Sequence, residues 1–479
     1  MTNVRDFVSQ SFCEFKNDLA AVLAQRSISE GARGVHECAA LLADLLSKRG
    51  FDEAEVVPTA GLPGVWGYLD ARKRHTLAVY AMFDHAPITS VWKREPFEPV
   101  AEAFPPYERV MFGKGVFTKG PLVTFLWALW AMKQLGHDIP VNIALILDGE
   151  EFVGSTNYHH LVHERSNRLE DCIGAISPAA VQSSHGSVSI SLGSKGCAYF
   201  ELISDGAHSG KGPVTKSVHS SAQGVVHSPV WRLVEALSTL TKPGSAGLEV
   251  VIPGFYDDIT RPQGRQLELL RQIAESNRGK DWRQVVPGVA GRGRVEVLAD
   301  DLEGEELFVR ALYYPTLNIN GIRAGYIHED SPLFTLPGRA VARLDMRFSP
   351  NQRGANLMAG LREHLDKAGY SDIQIRDMGT HDWALASLED AIVDAARATY
   401  ERYGYSVTVW PMRGSGAPLG VFCSELGVPA LGGVGIGATG SDGSDEFMVL
   451  HGNDKVAGVP LAAQFFADYL AEVATKCSE

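Results

Sequence analysis

Leu145-Ile146-Leu147-Asp148-Gly149-Glu150-Glu151-Phe152-Val153-Gly154-Ser155 is the stretch on which the fold reading turns. From Val141 to Leu147 the chain is apolar and carries β-branched residues, the composition of a strand buried in a parallel sheet. The run leads to two adjacent carboxylates, Glu150 and Glu151, then to Gly154-Ser155 and a helix-like segment. Open α/β sheets place their ligand sites beyond the carboxyl ends of strands. A Glu-Glu pair at that position suits acid–base work or the holding of a metal. Standing alone, such a pair is more often a solvated cap on the next helix.

Working outward, apolar spacing predicts helices over 4–26 and 36–50, the second stopping at Gly50. A strand is expected at Thr76–Phe83, followed by the turn Asp84-His85-Ala86-Pro87. Lys119-Gly120-Pro121 opens an apolar helix over 121–135, and Cys172–Ile176 is a further short strand. Strand and helix alternate, which is the α/β signature. Near Val188 the character changes. Val188–Leu192 and Ala198–Leu202 read as hairpin-like strands, with a helix at 229–241, a strand at Ala340–Phe348 and a helix at 353–368. Residues 242–315 show no clear periodicity. A helix restarts at Ser387, with Asp390 three residues on, and stops at Gly404. Strand Val428–Val434 and helix 456–474 resume the first pattern. The expected organisation is an α/β domain with a mixed, largely parallel sheet, over 1–187 and 383–479. An α+β domain over 188–382 interrupts it.

The chain has 479 residues, enough for two or three domains, and its apolar (45%) and charged (21%) content is that of a soluble globular protein. A formal charge of −13 argues against nucleic acid and against an anionic membrane surface as partner. The longest apolar run, Leu122 to Met132, is too short to span a bilayer. The N-terminus lacks a signal-peptide layout, and the six cysteines have neither metal-type nor disulfide spacing. A cytoplasmic protein with a small-molecule substrate is expected.

Three motifs are set aside. His159 and His163 stand four apart on a helix, a zinc-binding spacing, but lack the glutamate of the zinc proteases and read as surface. Gly435-Ile436-Gly437-Ala438-Thr439-Gly440 fits a dinucleotide pattern by letters, yet no helix start follows it. Cys423 has no evident base partner and reads as core.

Other stretches point to a family. They are Pro96-Phe97-Glu98-Pro99-Val100, Lys119-Gly120-Pro121-Leu122, Gly149-Glu150-Glu151 with Gly154-Ser155, and Ile252-Pro253-Gly254-Phe255-Tyr256-Asp257-Asp258. Pro315-Thr316-Leu317-Asn318-Ile319-Asn320-Gly321-Ile322 and Arg347-Phe348-Ser349-Pro350-Asn351-Gln352 complete the order. Together they resemble the co-catalytic zinc metallopeptidases of aminoacylase, carnosinase and cytosolic nonspecific dipeptidase, in the dipeptidase/carnosinase branch. The resemblance implies a catalytic domain interrupted by a lid that forms a homodimer. It also implies two zinc ions held by two His, two Asp and one Glu, with a second Glu activating water. Here the chain departs. Met82-Phe83-Asp84 stands where the family has His-x-Asp, and only Val116-Phe117-Thr118 lies between Gly113-Lys114-Gly115 and Lys119-Gly120. Pro178 stands for the third-strand Asp, and Asp442 for the final His. Only Glu151 is unchanged, beside the water-activating Glu150. Met, Phe and Pro offer zinc at most a thioether. No metal or other cofactor is therefore expected; a single rebuilt metal site would use His85, Glu151 and Asp442.

If the family geometry holds, Asp84, Glu150, Glu151 and Asp442 converge without a cation, and at least one of them has a raised, coupled pKa. Glu150 is the expected base, with Glu151 or Asp442 as partner; Lys114 and Lys119 pairing with them would make the cluster inert. His219 matches the lid histidine that reaches the partner subunit's site in the family, with His208 as a competing match. Arg347 and Asn318 match lid positions that grip a substrate carboxylate. Gly414 and Ser415 match a Gly-Gly-Ser substrate loop with the serine displaced by one, and Lys119 is a further substrate-binding candidate. The expected enzyme is metal-independent and acts on a small amino-acid or dipeptide-like molecule by carboxylate acid/base chemistry, with epimerisation or isomerisation preferred. The alternatives are an amide hydrolase with one metal and a non-catalytic relative that binds a peptide or a partner.

Overall fold

The structure is a computed structural model and describes residues 3–244, 247–289, 295–327 and 334–477. Two compact units divide the chain: Met1–Ser194 with Ala384–Glu479, and Lys195–Trp383. No helix among the described residues is long and apolar enough to cross a membrane.

The first unit is built on an eight-stranded sheet. Its order is Glu53–Val57, Gly64–Leu69, Asn142–Asp148, Thr76–Met82, Cys172–Pro178, Ala430–Val434, Val188–Ser191, Val407–Trp410. The middle pairs are parallel, and the flanking Glu53–Val57, Gly64–Leu69 and Asn142–Asp148 pairs are antiparallel, which makes the sheet mixed. Asn142–Asp148 is buried at every residue, as its unbroken apolar run requires. The Val116–Gln134 helix packs on the same core and is apolar almost all round, so it too is buried along most of its length. It starts earlier than the expected 121, because Gly115 takes the left-handed turn that caps it and Pro121 is accommodated in its first turns.

The expected helix over 4–26 divides at Ser11 into Val4–Gln10 and Phe12–Ala24. The first piece packs on the Val459–Lys476 and Val116–Gln134 helices, and the second on Val116–Gln134. Val188–Ser191 forms no hairpin with the strand after it; it pairs in parallel with Val407–Trp410. The boundary between units therefore lies at Ser194/Lys195, beyond the expected change at 187/188. The helix expected from Ser387 begins at Ala391, with Asp390 accepting the Ser387 backbone N–H at 2.6 Å. A second, antiparallel sheet of Val100–Phe104, Tyr107–Phe112, Thr439–Asp442 and Asp445–His451 is sealed by Phe104, Phe112 and Phe447.

The second unit is a four-stranded antiparallel sheet in the order Thr316–Ala324, Arg339–Phe348, Gly196–Asp205, Gln374–His381. Strand alternation sorts its faces. Ala198, Phe200, Leu202, Ala342, Leu344 and Met346 point to a core shared with Leu233 and Leu237 of helix Pro229–Ser238 and Leu357 and Leu361 of helix Gly354–Lys367. Cys197, Tyr199, Glu201, Arg343, Asp345 and Arg347 alternate with them on the other face. The stretch 242–315, without visible periodicity, holds helices Gly264–Ser276 and Gly304–Tyr313. The first buries only a narrow stripe, Leu269, Leu270 and Ile273, set among charged residues that mask the pattern.

Candidate active site

Thr76–Met82 and Asn142–Asp148 run parallel with Met82 opposite Asp148, and the Phe83 N–H donates to the Asp148 carbonyl at 2.9 Å. That register brings Asp84 and the Asp148–Glu151 turn out at one end of the sheet. Gly149 is required there, since a Cβ would lie 2.4 Å from the Pro63 carbonyl oxygen and 2.6 Å from the Phe83 ring. Asp148 is the hub of the turn. Its Oδ1 accepts the Glu150 N–H at 2.9 Å and its Oδ2 accepts the Ser155 hydroxyl at 2.6 Å. Ser155 is held at φ 52°, a left-handed conformation uncommon outside glycine, which aims its hydroxyl at Asp148.

Asp84 is fully buried. Its Oδ2 accepts the Phe152 N–H at 2.9 Å, whereas Oδ1 has no hydrogen-bond partner among the described residues. Burial pushes the Asp84 carboxyl up to about 7, against the Phe152 N–H, which favours the charged form; Glu151 pushes it further up. Burial pushes Asp148 up to about 8, with the charge of Asp84 adding to it. Two carboxyl groups in such a relation titrate as a pair and hold a proton near neutrality. Glu151 is the half-buried member and acts electrostatically on Asp84, Tyr80 and Arg413. Tyr80 is buried, its hydroxyl unpaired among the described residues, and burial followed by Asp148 holds its pKa well above the usual phenol range. The Arg413 guanidinium lies over Gly432, where a Cβ would sit 2.4 Å from Nη2. Burial lowers the pKa of Arg413, and Tyr80 and Glu151 counter it.

The residues predicted from sequence have several distinct fates. Glu150 is 5% exposed, and both its oxygens are occupied. Oε2 accepts the Leu62 N–H at 3.1 Å and Asn157 Nδ2 at 3.1 Å; Oε1 accepts Asn157 Nδ2 at 3.0 Å and the Asn157 backbone N–H. The expected base thus ties two loops together. Lys119 is also buried, its Nζ bonded to Ser27 Oγ (2.9 Å) and to the Val22 and Gln25 carbonyls (3.2 Å each), so it faces the interior rather than a substrate. Lys114 pairs with Glu446 at 2.6 Å and not with the Glu-Glu pair. Asp442 sits on the smaller sheet, where Lys93 meets it at 2.8 Å and Arg94 at 3.9 Å. Gly414 and Ser415 follow Arg413 directly, with Ser415 exposed.

His85 does not fit the role of a relocated ligand. Its Nε2 faces the Ser27 N–H at 3.4 Å, its Nδ1 bonds the Ala86 carbonyl at 3.2 Å, and its ring stacks on Phe97. Burial, then Lys119, pushes its pKa down to about 3, so the ring is neutral with both nitrogens engaged. The family's zinc positions are no better supplied. Met82 offers a thioether and Pro178 nothing, while the first helical turn before Lys119 offers only Thr118, whose hydroxyl bonds the Gly115 carbonyl at 3.2 Å. Among the described residues, no three His, Cys, Asp or Glu side chains gather in a way that would hold a metal ion. On donor chemistry, neither two zincs nor a His85–Glu151–Asp442 centre fits.

In the second unit, Arg347 Nη2 donates to the Tyr199 hydroxyl at 2.5 Å and Nε to Asp345 at 3.2 Å. Cross-strand pairing puts Thr316, Cys197 and His381 in its row. Behind it, Lys195 Nζ is capped by the Ala311 carbonyl at 2.9 Å and the Tyr314 carbonyl at 2.5 Å; burial, then Arg347, pushes its pKa down to about 7. Burial likewise pushes His381 down to about 4. Asn318 is exposed and bonds Asn320 at 2.6 Å, and His219 is exposed with its Nδ1 2.9 Å from Ser221 Oγ.

Asp148, Tyr80, Asn157 and Arg413 were not singled out from sequence. Asp148 had a signal: it is a charge set directly on the end of a wholly apolar strand. Arg413 had a weaker one, a lone cation after Val409-Trp410-Pro411-Met412.

Comparison with known proteins agrees with this architecture. Residues 206–373 match the peptidase dimerisation domain. The chain is 25% identical over 347 residues to the Cys-Gly metallodipeptidase dug1 of Schizosaccharomyces pombe, covering 70% of this chain and 67% of the relative. It is 24% identical over 370 residues to the human Beta-Ala-His dipeptidase, covering 75% and 68%. Among solved structures, the M20 family metallo-carboxypeptidase Sso-CP2 from Sulfolobus solfataricus superposes with a TM-score of 0.79 at 27% identity, over 96% of this chain and 99% of that one. Human carnosine dipeptidase 1 shares the fold, with a TM-score of 0.75 at 21% identity over 98% and 99%. The chain thus resembles the M20 family peptidases in fold, carries the peptidase dimerisation domain over 206–373, and is similar in sequence to the dipeptidase/carnosinase branch.

Proposed function

We propose that the chain is an enzyme that hydrolyses a short peptide or peptide-like amide, and that Asp84, Asp148 and Glu151 carry the chemistry. The observation supporting this is the coupled pair of raised carboxyl groups behind a half-buried glutamate at the strand ends. In this reading Glu151 takes the proton of the attacking water. Arg413 opposes the negative charge that grows on the carbonyl oxygen. Asp84 and Asp148 keep a proton within the cluster near neutrality, so that one is returned as the amine leaves. Arg347 is the proposed grip for a substrate carboxylate, on its match to the family's lid position. Hydrolysis without a Lewis acid gives up several kcal/mol of transition-state stabilisation, so turnover is expected to be slow. The relatives are dipeptidases by name, which favours hydrolysis. Epimerisation, preferred on sequence, has no support among them.

One observation favours a second reading, binding without turnover: the carboxylate of Glu150 is committed on both oxygens. A panel of dipeptides that includes Cys-Gly and β-Ala-His separates the two, with metal content measured on the same preparation. Cleavage that falls by about a hundredfold or more in Glu151→Gln supports hydrolysis by this cluster. Peptide binding without cleavage supports the second reading, and two tightly bound zincs per chain would overturn the donor argument.

The dimerisation-domain match supports a homodimer through the inserted unit. Helix Pro229–Ser238 leaves Trp231 61% and Val234 40% exposed, with Val225 at 90% just before it, an apolar surface of the kind a second copy would cover.

A further inference from the structure

The face of the inserted sheet opposite its helices carries a second polar constellation, apart from the row of Arg347. Cross-strand pairing places Gly321, Arg343, Glu201 and Arg376 side by side. Arg343 lies four residues along its strand from Arg347, so the two rows are about 13 Å apart. Glu201 is 4% exposed and works as a splint. Its Oε1 accepts Arg343 Nε at 3.2 Å and Nη2 at 3.1 Å, and its Oε2 accepts Arg376 Nη2 at 2.5 Å. Each guanidinium is thereby oriented while other N–H groups stay unspent, since arginine carries five donors.

These residues line a cavity of about 670 Å³ with Arg323, Arg339 and the neighbouring residues of 320–325. Four arginines face one glutamate in it. Arg339 leans on Asp205 at 3.4 Å, and Arg323 makes no ion pair among the described residues. The excess positive charge stands out on a chain with a formal charge of −13, because acidic surroundings would favour pairing it away. The volume suits a small ligand. Arginines held in place by a buried carboxylate bind planar anions with little ordering cost.

We propose that this cavity binds a small polyanion bearing two or more carboxylate or phosphate groups. Arg343, Arg376 and Arg323 supply the donors and Glu201 fixes their geometry. The site is separate from the proposed amide hydrolysis and does not depend on it.

The test is calorimetric titration of the full-length protein with tricarballylate and with pyrophosphate, acetate serving as the monoanion. The two probes distinguish carboxylate from phosphate preference. Titrations at low salt and at about 150 mM ionic strength show the screening expected of exposed charges. The expected result is saturable binding of at least one probe, at one per chain, at least about tenfold tighter than acetate. Arg323→Gln, at an exposed residue with no ion-pair partner among the described residues, should weaken it about tenfold, and Arg343→Gln combined with Arg376→Gln should abolish it. Arg347→Lys should leave it intact. Three results would overturn the proposal: neither probe binding saturably, Arg323→Gln binding as tightly as the unaltered protein, or binding lost in Arg347→Lys, which would move the anion to the other row.

Discussion

Replacing Asp148 by Asn should make the protein more stable at high pH, although it removes the hub of the candidate site. The native carboxyl lies at about 8 against an ordinary 3.8, because burial disfavours its charge and Asp84 adds to the effect. Between those values the native protein binds more protons than the unfolded chain, so its stability falls as pH rises from about 4 to about 8. The interval is about four pH units at about 1.4 kcal/mol each, which sets a ceiling on the order of 5 kcal/mol for the coupled pair. Asn retains the shape. Its Oδ1 can still accept the Glu150 N–H, and its Nδ2 can donate to Ser155 once that hydroxyl turns. The net gain at pH 9 is then about 2–4 kcal/mol, vanishing near pH 5. At about 2 °C per kcal/mol for a domain of this size, the apparent Tm should rise by about 4–8 °C at pH 9 and hardly at all at pH 5. Differential scanning calorimetry of both proteins across that range measures it. A difference in Tm that does not change with pH would refute the reasoning, as would an Asp148→Asn protein that melts lower at pH 9. A divalent cation among these carboxylates would reverse the sign, because it would depress their pKa values and make the unaltered protein the more stable at high pH.

Glu150→Gln turns an amide NH₂ toward the Leu62 and Asn157 donors and should cost about 1–3 kcal/mol, seen as a lower melting temperature at every pH from 6 to 9. If Glu150 were the base instead, the substitution would abolish turnover while leaving melting unchanged. Trp231→Glu places a charge in the exposed apolar surface of helix Pro229–Ser238 and should convert a homodimer to monomers, read by light scattering behind a sizing column; an unchanged mass would exclude that helix from the interface.

Much of the architecture was legible because burial writes itself into local composition. The apolar run ending at Leu147, the inserted block with its own strand and helix patterns, and the ordered motifs of the dipeptidase branch were all visible in the chain. Elements whose buried stripe is narrow, such as Gly264–Ser276, were not. Nor was the partner of Val188–Ser191, which lies more than two hundred residues away at Val407–Trp410.

By itself the sequence determined which chemical groups are present: the adjacent carboxylates Glu150 and Glu151, a lysine in the Lys-Gly motif, an arginine before Gly414. Tertiary structure alone decided which of them are available for chemistry. Glu150 and Lys119 were expected at the site by motif, yet packing turns both onto neighbouring loops. Asp148 and Arg413 were unremarked in the sequence: the register of two parallel strands brings Asp148 to Asp84, and the closeness allowed by Gly432 seats Arg413 within electrostatic reach of Glu151. The reason is physical: residue type sets what a side chain can donate or accept, whereas burial, charge neighbours and hydrogen-bond partners set its protonation and its freedom, and these come from residues far apart in the chain.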